Sequence, residues 1–496
     1  MAYQEFFCNS AGSNMNGGSE GTSTTAIGAA VLTSTNGAWD AIATDTTVST
    51  FTCSDSPTLT AGMVGMYASV FQDGDTTPTA NRYVNALITA IDNTAKTITL
   101  SIAKRNTLGT PIADQANGYT IKVGGAWAGP AATVQFPFAF ITGAAVDTTG
   151  NCSPRVNFNG TFNITAGIDH NLAGPVVFEG YTTAAGDGGY AILDGGSPAT
   201  SLNMFQLRGT ANGLRYFKAQ NNGAGNLYPQ GYGLNIAGNG NWIMRCVATA
   251  IRGNGIIVAS ASAEAFECEV YGCGMGNTAA FFVQQGVARR CISHDNSGGT
   301  LTAGFTIGNY GSAAWLIDCV SESNSGNGVH VAIGATGGGA QIVGCDIYNN
   351  AVDGVRIVTA AGVHARVIIE NCNLVKNTGY GINNSSTGQC TGMIRNCGFG
   401  AGTQVNGSGA TNNLKSTEVL DSVTYSDDVT PWTDPANGDF RISLAAAKGT
   451  GRGAFLQTAP SYAGTVRYPD IGAGQHQDSG GGGLPRNRGI LSGGSL

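Results

Sequence analysis

A short motif that returns every 22 to 29 residues leaves few folds open to this chain. Its clearest copies are LIDCVSESNSGNGVHVAI (316–333), IVGCDIYNNAVDGVRIV (342–358) and IIENCNLVKNTGYGINN (368–384). In each, an Asn follows a Cys by five residues and a Gly follows it by nine, with Val or Ile next. The triplets are Cys319, Asn324 and Gly328, then Cys345, Asn350 and Gly354, then Cys372, Asn377 and Gly381. Cys291 keeps Asn296 and reaches Gly304 after a four-residue insertion, whereas Cys246 keeps Gly255 without the Asn. Phe217 fills the Cys slot of a further copy, with Asn222 in the Asn slot. From Phe217 through Cys246, Cys268, Cys291, Cys319, Cys345 and Cys372 to Cys397 the spacings are 29, 22, 23, 28, 26, 27 and 25.

Self-similarity at such a period marks a solenoid, a propeller or an array. Helical repeats are excluded, because every copy is broken by Gly and Asn and holds no long run of helix formers. What remains are apolar alternations of three to five residues, such as Val329–Val331 and Val355–Ile357, separated by Asn/Gly/Ser turns; these read as short strands. A propeller blade needs about 40–45 residues, so the shorter period fits one coil of a parallel β-helix. Coils stack at about 4.8 Å, which sets each slot against its own copies above and below. Cys291, Cys319, Cys345 and Cys372 then form an inward column of small hydrophobes. Asn296, Asn324, Asn350 and Asn377 form an inward amide ladder that satisfies bend amides. Absent CxxC spacing argues against zinc, and no metal site or cofactor is implied.

The pattern resembles the right-handed parallel β-helix proteins of the pectate-lyase-like superfamily over roughly Phe162 to Cys397. That resemblance implies an all-β, single-stranded solenoid and says little of function, since the fold carries lyases, hydrolases, tailspikes, adhesins and spacers. The segments Pro175–Tyr181 and Ile192–Gly196 look like the opening rungs of phage and bacterial β-helix proteins. Asp434–Ile442 (DPANGDFRI) and Arg467–Gln475 (RYPDIGAGQ) resemble closing segments, the second of a kind found in phage virion proteins.

Four regions are expected: a β-rich attachment or capping domain (1–130) with a helix near Thr24–Leu32, the β-helix (131–399), a C-terminal β/irregular cap (400–479) and a flexible Gly-rich tail (480–496). Charged residues make up 11% of the chain, where about a quarter is usual; this suits a solenoid surfaced with Ser, Thr, Asn and Gly. A net charge of −7 gives no footprint for nucleic acid, and no apolar run is long enough to insert in a membrane. The opening MAYQEFFCNSAGSNMNGG shows no basic region followed by an apolar core, so no export signal is read there. In-register thiols do not reach disulfide geometry, which points to free cysteines and synthesis in a reducing cytoplasm.

Odd offsets from an inward Cys face outward. One residue before it stand Arg245, Glu267, Arg290 and Asp318, an alternating charge ladder read as ion pairs between coils. Three residues after it stand Tyr271, His294, Glu322 and Tyr348, with Asp346 close by. This column is read first as a solvated face or an interchain contact. Were it catalytic, Glu322 would be the acid and Asp318 or Asp346 the second carboxylate, with Tyr271, His294 and Tyr348 as a sugar platform. Coil spacing brackets the separations glycosidases use. A lyase would need a denser acid cluster and a base, and no G-x-S-x-G, P-loop or HExxH motif is present.

The expected role is a structural protein of a tailed-phage virion, a tail fibre or spike or a capsid-attached decoration, mediating host-surface or glycan adhesion. Such a protein is made in the host cytoplasm, docks other virion proteins through its N-terminal domain and, by resemblance, forms a homotrimer. The alternatives are a polysaccharide-degrading depolymerase and a bacterial surface adhesin, either of which would work outside the cell.

Overall fold

The computed structural model describes residues 4–9, 30–40, 48–75, 83–107, 115–124, 127–128, 154–171, 175–196, 202–223, 231–274, 279–298, 303–308, 313–334, 336–400, 405–407, 419–420, 423–424, 431–435 and 439–444. Among these, no helix is long and apolar enough to cross a membrane. The chain packs as two units, residues 1–194 with 209–217, and residues 195–208 with 218–496. The boundaries expected near 130 and 479 fall outside the described residues, as do the segment 467–475 and the tail from 480.

The first unit holds a closed antiparallel barrel. Its strands, in spatial order, are Leu32–Asp40, Val48–Thr52, Thr97–Thr107, Tyr83–Asp92, Tyr67–Gln72 and Gln115–Val123. Alternation puts Phe51, Val70, Ile88, Ile98, Leu100 and Ile121 inside, each at most 1% exposed. Leu32 opens a strand here and does not end a helix; the stretch before it, 10–29, is not described. Unlike the barrel, Gln4–Asn9 runs parallel to Pro154–Asn159 and to Trp127–Ala128, so the first strand of the parallel sheet precedes the barrel in sequence. A buried Glu179 accepts from Arg215 and forms an ion pair with Arg155 at 3.3 Å, on the strands either side of its own.

Beyond the barrel the chain winds as a right-handed parallel β-helix, the architecture its repeat predicts. Each coil of the second unit has three strands, which define three faces. One coil is Ala313–Ile317, Val320–Glu322 and Asn327–Ile333; the next is Gly338–Val343, Asp346–Tyr348 and Val355–Thr359. Every strand pairs in parallel with its copy one coil on. Two single residues in the left-handed region turn the chain at the corners. The first precedes the Cys slot: Arg245, Glu267, Arg290, Asp318, Asn371 and Asn396 have φ between 49° and 54°, with Gly344 at 64°. The second precedes the Asn slot: Ala250, Asp295, Ser323, Asn349 and Lys376 have φ between 50° and 54°.

Behind those corners lie the two inward columns. Asn296, Asn324 and Asn350 each donate Nδ2 to the next Asn Oδ1, at 2.8, 2.9 and 2.9 Å, the last to Asn377. The same oxygens accept the backbone N–H of the preceding Asn at 3.1–3.3 Å. Cys291, Cys319, Cys345 and Cys372 are at most 2% exposed and free. Each lies close to a carbonyl one coil back, at 3.4–3.8 Å. Cys273 fills an Asn slot, where burial pushes its thiol up to about 12.

Parallel pairing also continues past 399. Val405–Gly407 completes the coil of Cys397 on the third face, and Val419–Leu420 with Val423–Thr424 continue the first and second faces without a Cys–Asn motif. The DPANGDFRI segment then forms an antiparallel hairpin, Trp432–Asp434 with Asp439–Ile442.

Candidate functional site

The outward column three residues after the Cys is assembled as its spacing implies. Tyr271, His294, Glu322 and Tyr348 are register neighbours on successive second strands. The rings of Tyr271 and His294 stack at 5.2 Å. His294 Nε2 lies 2.8 Å from Glu269 and Nδ1 2.7 Å from Asp295, so two carboxylates face one ring. Both contacts are hydrogen bonds only when the imidazole carries two protons.

Solvent exposure is where expectation and structure part. The column faces out from the coil, yet Glu322 is 3% exposed, His294 7% and Tyr348 8%. At Tyr348 the physical reason is the C-terminal hairpin. Trp432, 2% exposed, packs on Val320, Tyr348 and Val375, with Ile292 and Leu444 at the margin. Its indole meets the Tyr348 ring edge-on at 5.3 Å. Beneath this cover, burial and then the charges of Glu322 and Asp434 push the Tyr348 hydroxyl above its ordinary range. A solvated face is therefore corrected to a covered one.

The other two acids are spent locally. Asp346, fully buried, accepts from Asn373 Nδ2 at 2.9 Å on the next coil. Asp318 sits at a left-handed corner, its carboxylate over the next corner at Gly344, where a Cβ would come within 2.5 Å of it. A side chain at Gly344 would have to displace that carboxylate, although other copies of this corner hold non-glycine residues at similar φ. In the charge ladder Glu267 pairs with Arg245 at 2.8 Å and with Arg290 at 3.5 Å. Arg290 also lies over the Phe266 ring at 5.4 Å. Among the described residues, no three His, Cys, Asp or Glu side chains gather as metal ligands.

A different face holds open space. On the outer side of the first strands, Ala313, Gly339, Ala340, Gln341, Arg366 and Ile368 line an open pocket of about 400 Å³. Register explains it: Ala313, Gly339 and Arg366 are successive neighbours in one outward column, and Trp315, Gln341 and Ile368 in the next. Two positions with little or no side chain leave a shelf between bulkier ones. No motif residue recurs four or six places before the Cys, where these residues lie, so the repeat does not mark them. An outward column read along first strands of Gly339 and Ala313 type would have found the shelf.

The coil geometry and these faces define a parallel β-helix. Solved structures similar to it include pectate lyase Pel9A, at 13% identity and TM-score 0.38 over 65% of this chain and 88% of that one. The Azotobacter vinelandii mannuronan C-5 epimerase AlgE6 A-module is similar at 14% and 0.38, over 59% and 96%. The tailspike protein gp49 of Pseudomonas phage LKA1 is similar at 10% and 0.20, over 87% and 70%. These likenesses concern the fold. No family model matches the sequence. No curated protein matches it either.

Proposed function

We propose that this chain is a structural protein of a tailed-phage virion, a tail fibre or spike or a capsid-attached decoration, that adheres to host-surface glycan. The observation that carries the adhesive over the degradative reading is the packing of Trp432 on Tyr348, Val320 and Val375, with Glu322 itself only 3% exposed. A glycosidase needs both carboxyls open to a sugar and to water; here Asp346 is held by Asn373 and Glu322 lies under protein. The virion setting rests on the phage-like opening and closing segments. In it the barrel end docks to other virion proteins and three copies associate, which the native mass of the purified protein tests.

A depolymerase is the second reading. What favours it is that the charges of both Glu322 and Asp434 act on the Tyr348 hydroxyl, a group that would be opened if the hairpin lifted. The deciding experiment incubates the protein with surface polysaccharides of candidate hosts, following both retention and chain length, beside Glu322→Gln. Retention without shortening is the expected result. Shortening by the native protein that Glu322→Gln abolishes would overturn the adhesive reading.

A further inference from the structure

We propose that the first-face pocket binds a carboxylate-bearing sugar unit, with Arg366 as its anion contact. The proposal rests on the glycan-adhesion reading and gives it a site and a ligand class. Its starting point is a broken pattern. Arg155 and Arg215 share Glu179, Arg289 pairs with Glu264 at 2.6 Å and Arg395 with Glu370 at 2.6 Å, each across neighbouring coils. Arg366 lies between Gly339 and Thr391 in register, and among the described residues it meets no carboxylate. Its exposed guanidinium stands at the edge of the pocket.

The rest of the lining suits a sugar ring. Ala313 and Gly339 provide the shelf, and even a Cβ at Gly339 would press to 3.3 Å on the Arg366 carbonyl. Ile368 and the half-buried Trp315 supply apolar and aromatic surface beside it. Gln341 Oε1 is buried without a hydrogen-bond partner. That is a costly arrangement, relieved if the amide turns into the pocket to accept from a sugar hydroxyl. A volume of about 400 Å³ lies within the usual range for small-ligand sites. The planar five-donor fork of arginine matches a carboxylate in two parallel hydrogen bonds.

The test is an array of bacterial saccharides bearing carboxylate, bearing phosphate, or neutral, probed with the full chain and with Arg366→Gln, Arg366→Lys and Ala313→Leu. Unchanged circular dichroism is expected of each variant, since both positions are exposed. Carboxylate-bearing glycans should be retained, and Arg366→Gln should weaken them on the order of tenfold. Lysine should restore part of the loss, keeping charge but not the fork, and Ala313→Leu should weaken binding by filling the shelf. Acidic-glycan binding that survives both Arg366→Gln and Ala313→Leu would place the site elsewhere and leave adhesion standing. Equal retention of phosphate-bearing or neutral glycans would sink the carboxylate assignment. Retention of no glycan would sink this assignment and the adhesion reading together.

Discussion

Asn350 touches three coils through one amide. Its Nδ2 donates to Asn377 Oδ1 at 2.9 Å and to Ser321 O at 3.2 Å, while its Oδ1 accepts from Asn324 Nδ2 at 2.9 Å. Leucine would fill the space and satisfy none of these groups. Asn350→Leu should therefore cost about 1–3 kcal/mol in urea denaturation. His330 makes a contrasting case on the third face. Burial, and secondarily the charge of Arg356 on the neighbouring coil, push its imidazole down to about 4, and its Nε2 has no hydrogen-bond partner. Between pH 6.5 and about 4 the unfolded chain takes up this proton and the folded chain does not. Stability is thus fully present above that window and falls as pH drops through it, by about 3 kcal/mol at most. The check is the difference in urea midpoint between native protein and His330→Gln at pH 7 and pH 4.5: the variant should lose less on acidification.

At the scale of the coil, corners decide what the strands present. A non-glycine residue in the left-handed region costs about 1 kcal/mol, yet it recurs at both corners in coil after coil, held there by pairing on either side. Ala250 is exposed at φ 52° and has no polar side chain to gain from the corner. Ala250→Gly should raise stability by about 0.5 kcal/mol, a shift readable as a higher denaturation midpoint. The C-terminal hairpin is an element of another kind, with the Trp432 ring packed on the second face. Trp432→Ala should remove about 3 kcal/mol of packing. Because few coil contacts depend on it, the loss should appear locally. Amide exchange should quicken in Trp432–Asp434 and on the second strands from Ile292 to Val375, while the third strands keep their protection.

Across the whole molecule, the repeat made the coil legible because its residues are fixed by contacts with their own copies. Cys319 and Asn324 recur since each corner and each ladder rung poses the same physical demand one coil later. The further strands 419–420 and 423–424 were illegible because no Cys–Asn motif accompanies them; they continue the backbone pairing of the first and second faces. Direction was readable for Glu322 and Tyr348, exposure was not. Alternation tells which way a side chain leaves its strand, while the cover arrives from Trp432, about a hundred residues later and outside any period. The pocket at Gly339 and Arg366 escaped for the opposite reason: it is made by an interruption, a missing side chain and a missing glutamate, and a search for recurrence passes over both.

The corner thiols from Cys246 to Cys397 offer one thing more, a record of unwinding. Each is buried and in no disulfide, one to a coil, so an alkylating reagent reaches it only when that coil opens. Brief labelling in rising denaturant, followed by peptide masses, would stamp every coil with the moment it came apart. Cys397 should be marked first, since the strand after it, Gly398–Phe399, is held on its outer side by two paired residues. Cys319 and Cys345 should be marked last, between coils joined by the amide ladder on both sides. Simultaneous marking of all seven thiols would instead mean that the coils come apart as one.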